Sequence, residues 1–332
     1  MQHTQGQRSL FWPLVLIAIG GLWLLNEFNI ISGANIAMLL RLWPLMLIVI
    51  GVELLLRGRY PQLSTYLGIG AVVLMVALVL VGPSLGWVGS RTLQSGSYAA
   101  PLENAQSAQV QIGAGVADIT VSPLSGSDNL FEASIAYVGT VEFFVRGEAS
   151  RFVSLQQTES TSTNMGFGDF FDWDDEGQDL AWNIGIATGV PLDLEVNAGV
   201  GSTELNLTDL TLRGLNVNAG VGAVNVLLPA SDAAYSANLN GGTGQMDVTI
   251  PENTAVEVRV SGGVGEVEID VPEGAAVRIE AQTGLGGVNV PGGYTRVSGR
   301  DNNGTWQSPD YRTDARQIRI VYQGGVGSLN VR

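Results

Sequence analysis

A Gly-x-Gly triplet recurs along the C-terminal part of this chain, with its second glycine at Gly201, Gly222, Gly244, Gly265, Gly286 and Gly327. The steps are 21, 22, 21, 21 and 41 residues, the last close to two units. Apolar residues follow each triplet at every second position: Val224, Val226 and Leu228, then Met246, Val248 and Ile250, then Val267, Ile269 and Val271. Pro229, Pro251 and Pro272 close these runs. Alternation of this kind between glycine and proline marks a half-buried strand. A second alternating run precedes each triplet, as in Leu210, Leu212, Leu215 and Val217 or Val256, Val258 and Val260. Each unit therefore holds two short strands and two corners. A unit this short cannot bury its apolar face alone, whereas stacked units can. The expected fold is all-β, a parallel β-solenoid-like stack over residues 110–332, with the six glycines structural. AGVADITV at Ala114–Val121 is a degenerate early copy.

The triplets are not a phosphate cradle. A dinucleotide fingerprint needs a third glycine three residues on and a helix starting there. The corresponding positions after Gly222 and Gly265 are Asn225 and Glu268, and strand follows.

The N-terminal part obeys a different logic. Apolar runs at about 9–31, 39–56 and 63–82 are each long enough for a helix to cross a ~30 Å hydrocarbon layer. The first two are copies: WPLVLIAIG at Trp12–Gly20 recurs as WPLMLIVIG at Trp43–Gly51. Tryptophan anchors in the headgroup zone and proline suits the first helical turn. Gly20 and Gly51 would let the two helices approach closely, and a homo-oligomer through these helices is one expectation. Glu53 and Arg57 are spaced as a helical ion pair near a span end, with a proton or ion role for Glu53 as the alternative. Residues 1–91 thus read as a three-span transmembrane bundle in contact with membrane lipid, and 92–109 as a linker whose Gln94–Pro101 is rich in Ser, Gly, Ala and Pro. Arginine bias, with Arg8, Arg57 and Arg59 against Arg41 and Arg91, places the C-terminal domain outside the cytoplasm.

Charge and composition narrow the function. The net charge is −15, and residues 92–332 hold 11 arginines against 29 acids. No basic stripe exists to displace counterions, so nucleic acid is not an expected partner. The chain has no cysteine and no lysine, and its one histidine is His3. Thiol, Schiff-base and histidine-triad chemistry are excluded, and no cofactor or catalytic residue is assigned. The sharpest local anomaly is Gly166–Trp182, where Asp169, Asp172, Asp174, Asp175, Glu176 and Asp179 are interleaved with Phe167, Phe170, Phe171 and Trp173. Asp172, Asp174 and Glu176 before Gly177 resemble the start of a calcium loop, but the twelfth position is Asn183 rather than a bidentate Glu. Phe170, Phe171 and Trp173 are candidate partner contacts, and a plain loop is the alternative. Arg296, Arg300, Arg312, Arg316 and Arg319 form the acidic domain's one basic region. Arg312 and Arg316 are candidates for contact with an acidic partner or an anionic polymer, against the plainer use of balancing nearby acids.

The paired WPLxLIxIG helices and the stretch VPLDLEVNAGVGSTELNLTDLTLRGLNVNAGVGAVNVLLP at Val190–Pro229 resemble LiaF-like proteins of the cell wall-active antibiotic response family. That resemblance implies a LiaI/LiaF-like transmembrane region and a toast-rack domain. It also implies a non-enzymatic membrane regulator of envelope stress, in the best-known cases restraining a sensor histidine kinase. An adhesin-like or structural surface module is the alternative, and a polysaccharide-active envelope enzyme a weaker one.

Overall fold

The computed structural model describes residues 70, 74–79, 81, 93–158, 180–300, 302–312 and 316–332. Residues 74–79 are helical. Among the described residues no helix is long and apolar enough to cross a membrane. The expected spans at 9–31 and 39–56 lie outside the described residues, as does most of 63–82.

Leu93–Ser160 and Asp179–Arg332 form one compact, all-β unit. Its body is a pile of seven coils among the described residues. Each coil runs along one strand, turns at the glycine corner and continues into a second strand. The first coil is Ser107–Val116 with Asp118–Leu124. The second is Pro191–Val200 with Thr203–Asn206, the third Thr211–Val221 with Val224–Leu227, and the fourth Tyr235–Thr243 with Met246–Thr249. The fifth is the single strand Val256–Asp270, bent at its corner. The sixth is Ala276–Leu285 with Val288–Asn289, and the seventh Gln317–Val331.

Neighbouring coils pair in parallel on both sides of the corner. Val217 lies opposite Val196 and Leu239 on one side, and Val226 opposite Leu205 and Val248 on the other. Equivalent residues therefore stand in columns ~4.8 Å apart. The inward columns continue the alternation seen in the sequence. Val217, Leu239, Val260 and Tyr322 form one buried column on the first side, and Leu205, Val226, Val248 and Ile269 one on the second. Burial of these β-branched and leucine rows is the main stabilising term. The degenerate copy at Ala114–Val121 falls in register, with Ala114 opposite Ala198 and Val121 opposite Leu205.

Two arrangements depart from the expected solenoid-like stack in chain order. The coils do not stack in chain order: the C-terminal coil inserts between the fifth and sixth, Ile318 lying opposite both Val256 and Val277. The cause is the segment before it. The chain turns back after the sixth coil as the antiparallel hairpin Thr295–Arg300 and Asn303–Gln307, which pairs on the outer edge of Ala276–Leu285. Ser308 fastens this hairpin, its Oγ accepting from the Val277 amide at 2.9 Å and donating to the Ala275 carbonyl at 2.7 Å. With that edge occupied, the last coil adds on the inner side, where it has a partner on each flank.

The second departure is at the other end. Gln94–Pro101, expected as linker, is a strand pairing antiparallel with Asn129–Tyr137, so the β unit begins well before residue 110. Tyr98 from this strand packs against Phe143, which in turn stacks on Phe131. Ser150–Thr158 and Ala181–Ala187 lie parallel to the two strands of the first coil and add a further layer, with Trp182 fully buried. Antiparallel strands Thr140–Arg146 and Asn129–Tyr137 then pair outside this layer. Period-two alternation does not distinguish parallel from antiparallel neighbours, and Tyr98, Phe131 and Phe143 lie far apart in sequence.

The glycine corners should be intolerant of any side chain. Gly222→Ala is expected to cost at least about 2 kcal/mol through strain and overpacking. Asn225→Ser, on an outward position of the following strand, should stay within about 0.5 kcal/mol of the parent. Denaturant unfolding of the full chain in detergent checks the pair, and equal midpoints for Gly222→Ala and the parent would contradict the stacking geometry.

Candidate functional site

The corner is the most repeated local structure in the unit. Gly201, Gly222, Gly244, Gly265, Gly286 and Gly327 all adopt positive φ, between 136° and 154°. A Cβ on Gly222 would stand 1.9 Å from the Gly201 carbonyl oxygen, and one on Gly265 1.7 Å from that of Gly244. The first glycine of each triplet forms a second column: a Cβ on Gly220 would stand 2.3 Å from the Gly199 oxygen. Backbone bonds link the corners directly, the Gly201 amide donating to Val221 and the Gly222 amide to Thr243, each at 3.0 Å. Only glycine fits such an approach at that conformation. In the first coil Ala117 takes the place of the second glycine, its carbonyl oxygen standing 2.1 Å from where a Cβ on Gly201 would lie. Asp118 beside it accepts from both the amide and the hydroxyl of Ser202 at 2.7 Å. The Ser202 hydroxyl, then its amide, hold the Asp118 carboxyl below the usual carboxylate range, against a small opposing effect of burial.

The outward columns are polar and largely self-engaged. Asn240 donates to Asn218 at 2.8 Å and Asn218 to Asn197 at 2.7 Å, a chain of side-chain amides climbing three coils. Around the inserted coil an ion network spans three layers. Arg319 donates to Glu257 at 3.2 Å and to Glu280 at 3.0 Å, Arg278 reaches Glu280 at 2.9 Å, and Arg259 pairs with Glu257. Arg319 and then Arg278 lower the Glu280 carboxyl below its usual range. The sequence placed Arg319 in a basic region; its partners come from coils that parallel register brings alongside. Of that region's other members, Arg316 pairs with Asp232 at 2.6 Å at the surface, and Arg296 stacks over Trp306 at 4.7 Å. Arg312 is exposed, its carbonyl accepting from Gln317. Arg316 and Arg319 thus balance different acids, Asp232 for the one and Glu257 with Glu280 for the other.

Phe170, Phe171 and Trp173, and the calcium candidates Asp172, Asp174 and Glu176, lie outside the described residues. Among the described residues no group of three or more acidic or histidine side chains is arranged to hold a metal ion. An open hollow lined by Ser122, Pro123, Ser125, Thr188, Asn206 and Asp209 carries a single carboxylate. The closer-packed void near the corners has a volume of about 20 Å³, room for one water and not for a small-molecule ligand.

Two family models match this chain. The LiaI-LiaF-like transmembrane region matches residues 10–55, and the N-terminal domain of toast_rack matches residues 89–249. Both matches fit the LiaF-like family. The second ends in the fourth coil, so the inserted C-terminal coil and its hairpin lie beyond it. Among curated proteins none matches significantly. Among solved structures, a candidate cell adhesion protein from Clostridium sporogenes is similar at 18% identity and a TM-score of 0.50, over 72% of this chain and 99% of that one. At that identity the likeness shows the fold alone. A candidate adhesin from Bacteroides fragilis aligns at 11% identity over 73% of this chain and 98% of that one, with a TM-score of only 0.26.

The ion network gives the stability of this LiaF-like chain a pH signature. A carboxyl whose pKa is lowered on folding adds stability above its unfolded value, and that contribution vanishes as pH falls through the folded value. Glu280→Gln should therefore be less stable than the parent at pH 7, with the difference closing between about pH 5 and pH 3. Unfolding midpoints across that range measure it, and a gap that stays constant would show that Glu280 is not held ionised by Arg319 and Arg278.

Proposed function

We propose that this protein is a membrane-anchored, non-enzymatic regulator of the bacterial envelope-stress response that acts through protein–protein contact. The observation that carries this reading is the joining, in one chain, of a LiaI-LiaF-like transmembrane region at 10–55 and a toast-rack domain from residue 89. In this reading the N-terminal part crosses the membrane three times and the β unit stands outside the cytoplasm. Contact with a sensor histidine kinase or another membrane protein is made through the spans, where Gly20 and Gly51 allow close helix approach. The β unit supports a scaffolding role: its outward amides and ion pairs are spent on one another, between coils, rather than gathered around a point where a reacting group could sit.

An adhesin-like surface module is the second reading, favoured by the fold shared with the Clostridium sporogenes protein. The two are separated by one experiment on the full chain in its membrane. A photocrosslinking residue placed beside Gly20 or Gly51 should capture a histidine kinase or another integral membrane protein, and a reporter fused after Arg332 should be active only outside the cytoplasm. Capture of no membrane protein, together with retention of the full chain on purified wall polymer, would favour the adhesin reading. A cytoplasmic reporter signal would overturn the proposed topology.

A further inference from the structure

The middle residue of each corner points outward, and parallel register lines these residues into one row. Val116 lies opposite Val200, Val200 opposite Val221, Val221 opposite Thr243 and Thr243 opposite Val264. Val326 follows, opposite Val264 and Leu285. Six of the seven are apolar and exposed, from 48% for Val200 and Val326 to 71% for Leu285. On both sides runs a glycine column with no side chains beyond Ala117, so the row stands as a ridge between two backbone troughs. Across all seven corners the three positions contain no charged residue, in a domain that carries 29 acids against 11 arginines. Isolated exposed valines need no explanation, whereas a row of about 300 Å² broken only by Thr243 is of the size of a monomer's largest apolar patch, which is often functional.

We infer that this ridge is a contact surface for a second copy of the same chain. Three features select that occupant. Like-charged domains repel over most of their surface, and this strip is where two copies can meet without placing acid against acid. The ridge repeats every ~4.8 Å, a spacing that another stack of the same coils matches rung for rung. And Thr243, the only polar side chain in the row, is the fourth of seven rungs. A two-fold axis through the middle of the row, the placement that overlaps all seven rungs of both copies, sets Thr243 against Thr243 whichever way the two stacks run.

The strip is ~30 Å long and on the order of 10 Å wide, so each copy contributes on the order of 300 Å², well below the ~800 Å² per partner of a stable interface. The pair is therefore weak in free solution and is favoured by confinement of both copies to one membrane, which raises their effective concentration. That last step rests on the membrane anchoring proposed above; the ridge itself does not.

The chain has no cysteine, so an introduced one reports without interference. The experiment uses the full chain in its own membranes, with fractionation first confirming that it is membrane-bound. Thr243→Cys should form a disulfide-linked dimer under mild oxidation. Thr211→Cys, exposed on a strand remote from the corner, should not. Adding Val221→Asp and Val264→Asp to Thr243→Cys should lower the dimer yield by about tenfold. Because both valines are exposed, the thermal unfolding midpoint should hardly move. A Thr243→Cys yield no higher than that of Thr211→Cys, or one indifferent to the two aspartates, would overturn the inference. So would a disulfide from position 243 to a different protein. A chain absent from the membrane fraction would instead count against the anchoring.

Discussion

At six of the seven corners, all but the one that carries Ala117, the carbonyl oxygen of one coil occupies the space that a Cβ would need on the next. That single close approach, repeated in two glycine columns, makes the rest of the architecture possible. It brings successive coils into parallel register on both sides of the turn at once, so the residues before and after each corner fall into columns without a separate adjustment. It also fixes alternation: with the corner backbone held at positive φ, Val217 and Val226 both face the interior although they lie on different strands. The apolar rows then close the core by burial, and with no cysteine in the chain no disulfide contributes.

The same constraint shapes the surface. A corner that admits no side chain on either flank leaves its middle residue nowhere to point but outward, which is why the residues recurring there are exposed. Outward strand positions are paired along the stack instead, by amide chains such as Asn197–Asn218–Asn240 and by the arginine–glutamate network around Arg319. These interactions are exposed and individually weak. Their value lies in register: Glu257, Arg319 and Glu280 meet only when the C-terminal coil sits between the fifth and sixth coils, so the charges favour the out-of-order insertion over a slipped alternative.

Much of the β unit was legible in the sequence because its order is local and periodic. The glycine spacing, the two alternating runs per unit and the closing prolines located the corners and the buried rows, down to the degenerate copy at Ala114–Val121. What escaped was non-local. Gln94–Pro101 has the composition of a linker, and its role as a strand comes from partners at Asn129–Tyr137. The insertion of Gln317–Val331 depends on a hairpin that occupies one edge, and the repeat is equally compatible with stacking in chain order. Proximity in sequence puts Arg319 in a basic region, whereas parallel stacking decides charge partners by column and gives it partners in the fifth and sixth coils. Phe170, Phe171 and Trp173 stood out by composition alone, and lie outside the described residues.

The account makes the corner backbone, rather than any side chain, the element that holds the coils in step. Amide hydrogen exchange on the full chain in detergent tests this most directly. The amides of Gly201, Gly222 and Gly244, which sit at turns open to solvent yet donate to the next coil, should exchange as slowly as those of buried ladder residues such as Val217 and Val226. Rapid exchange at the three glycines, with the ladders still protected, would contradict it: the strands alone would then hold the stack, and the glycine columns would be incidental.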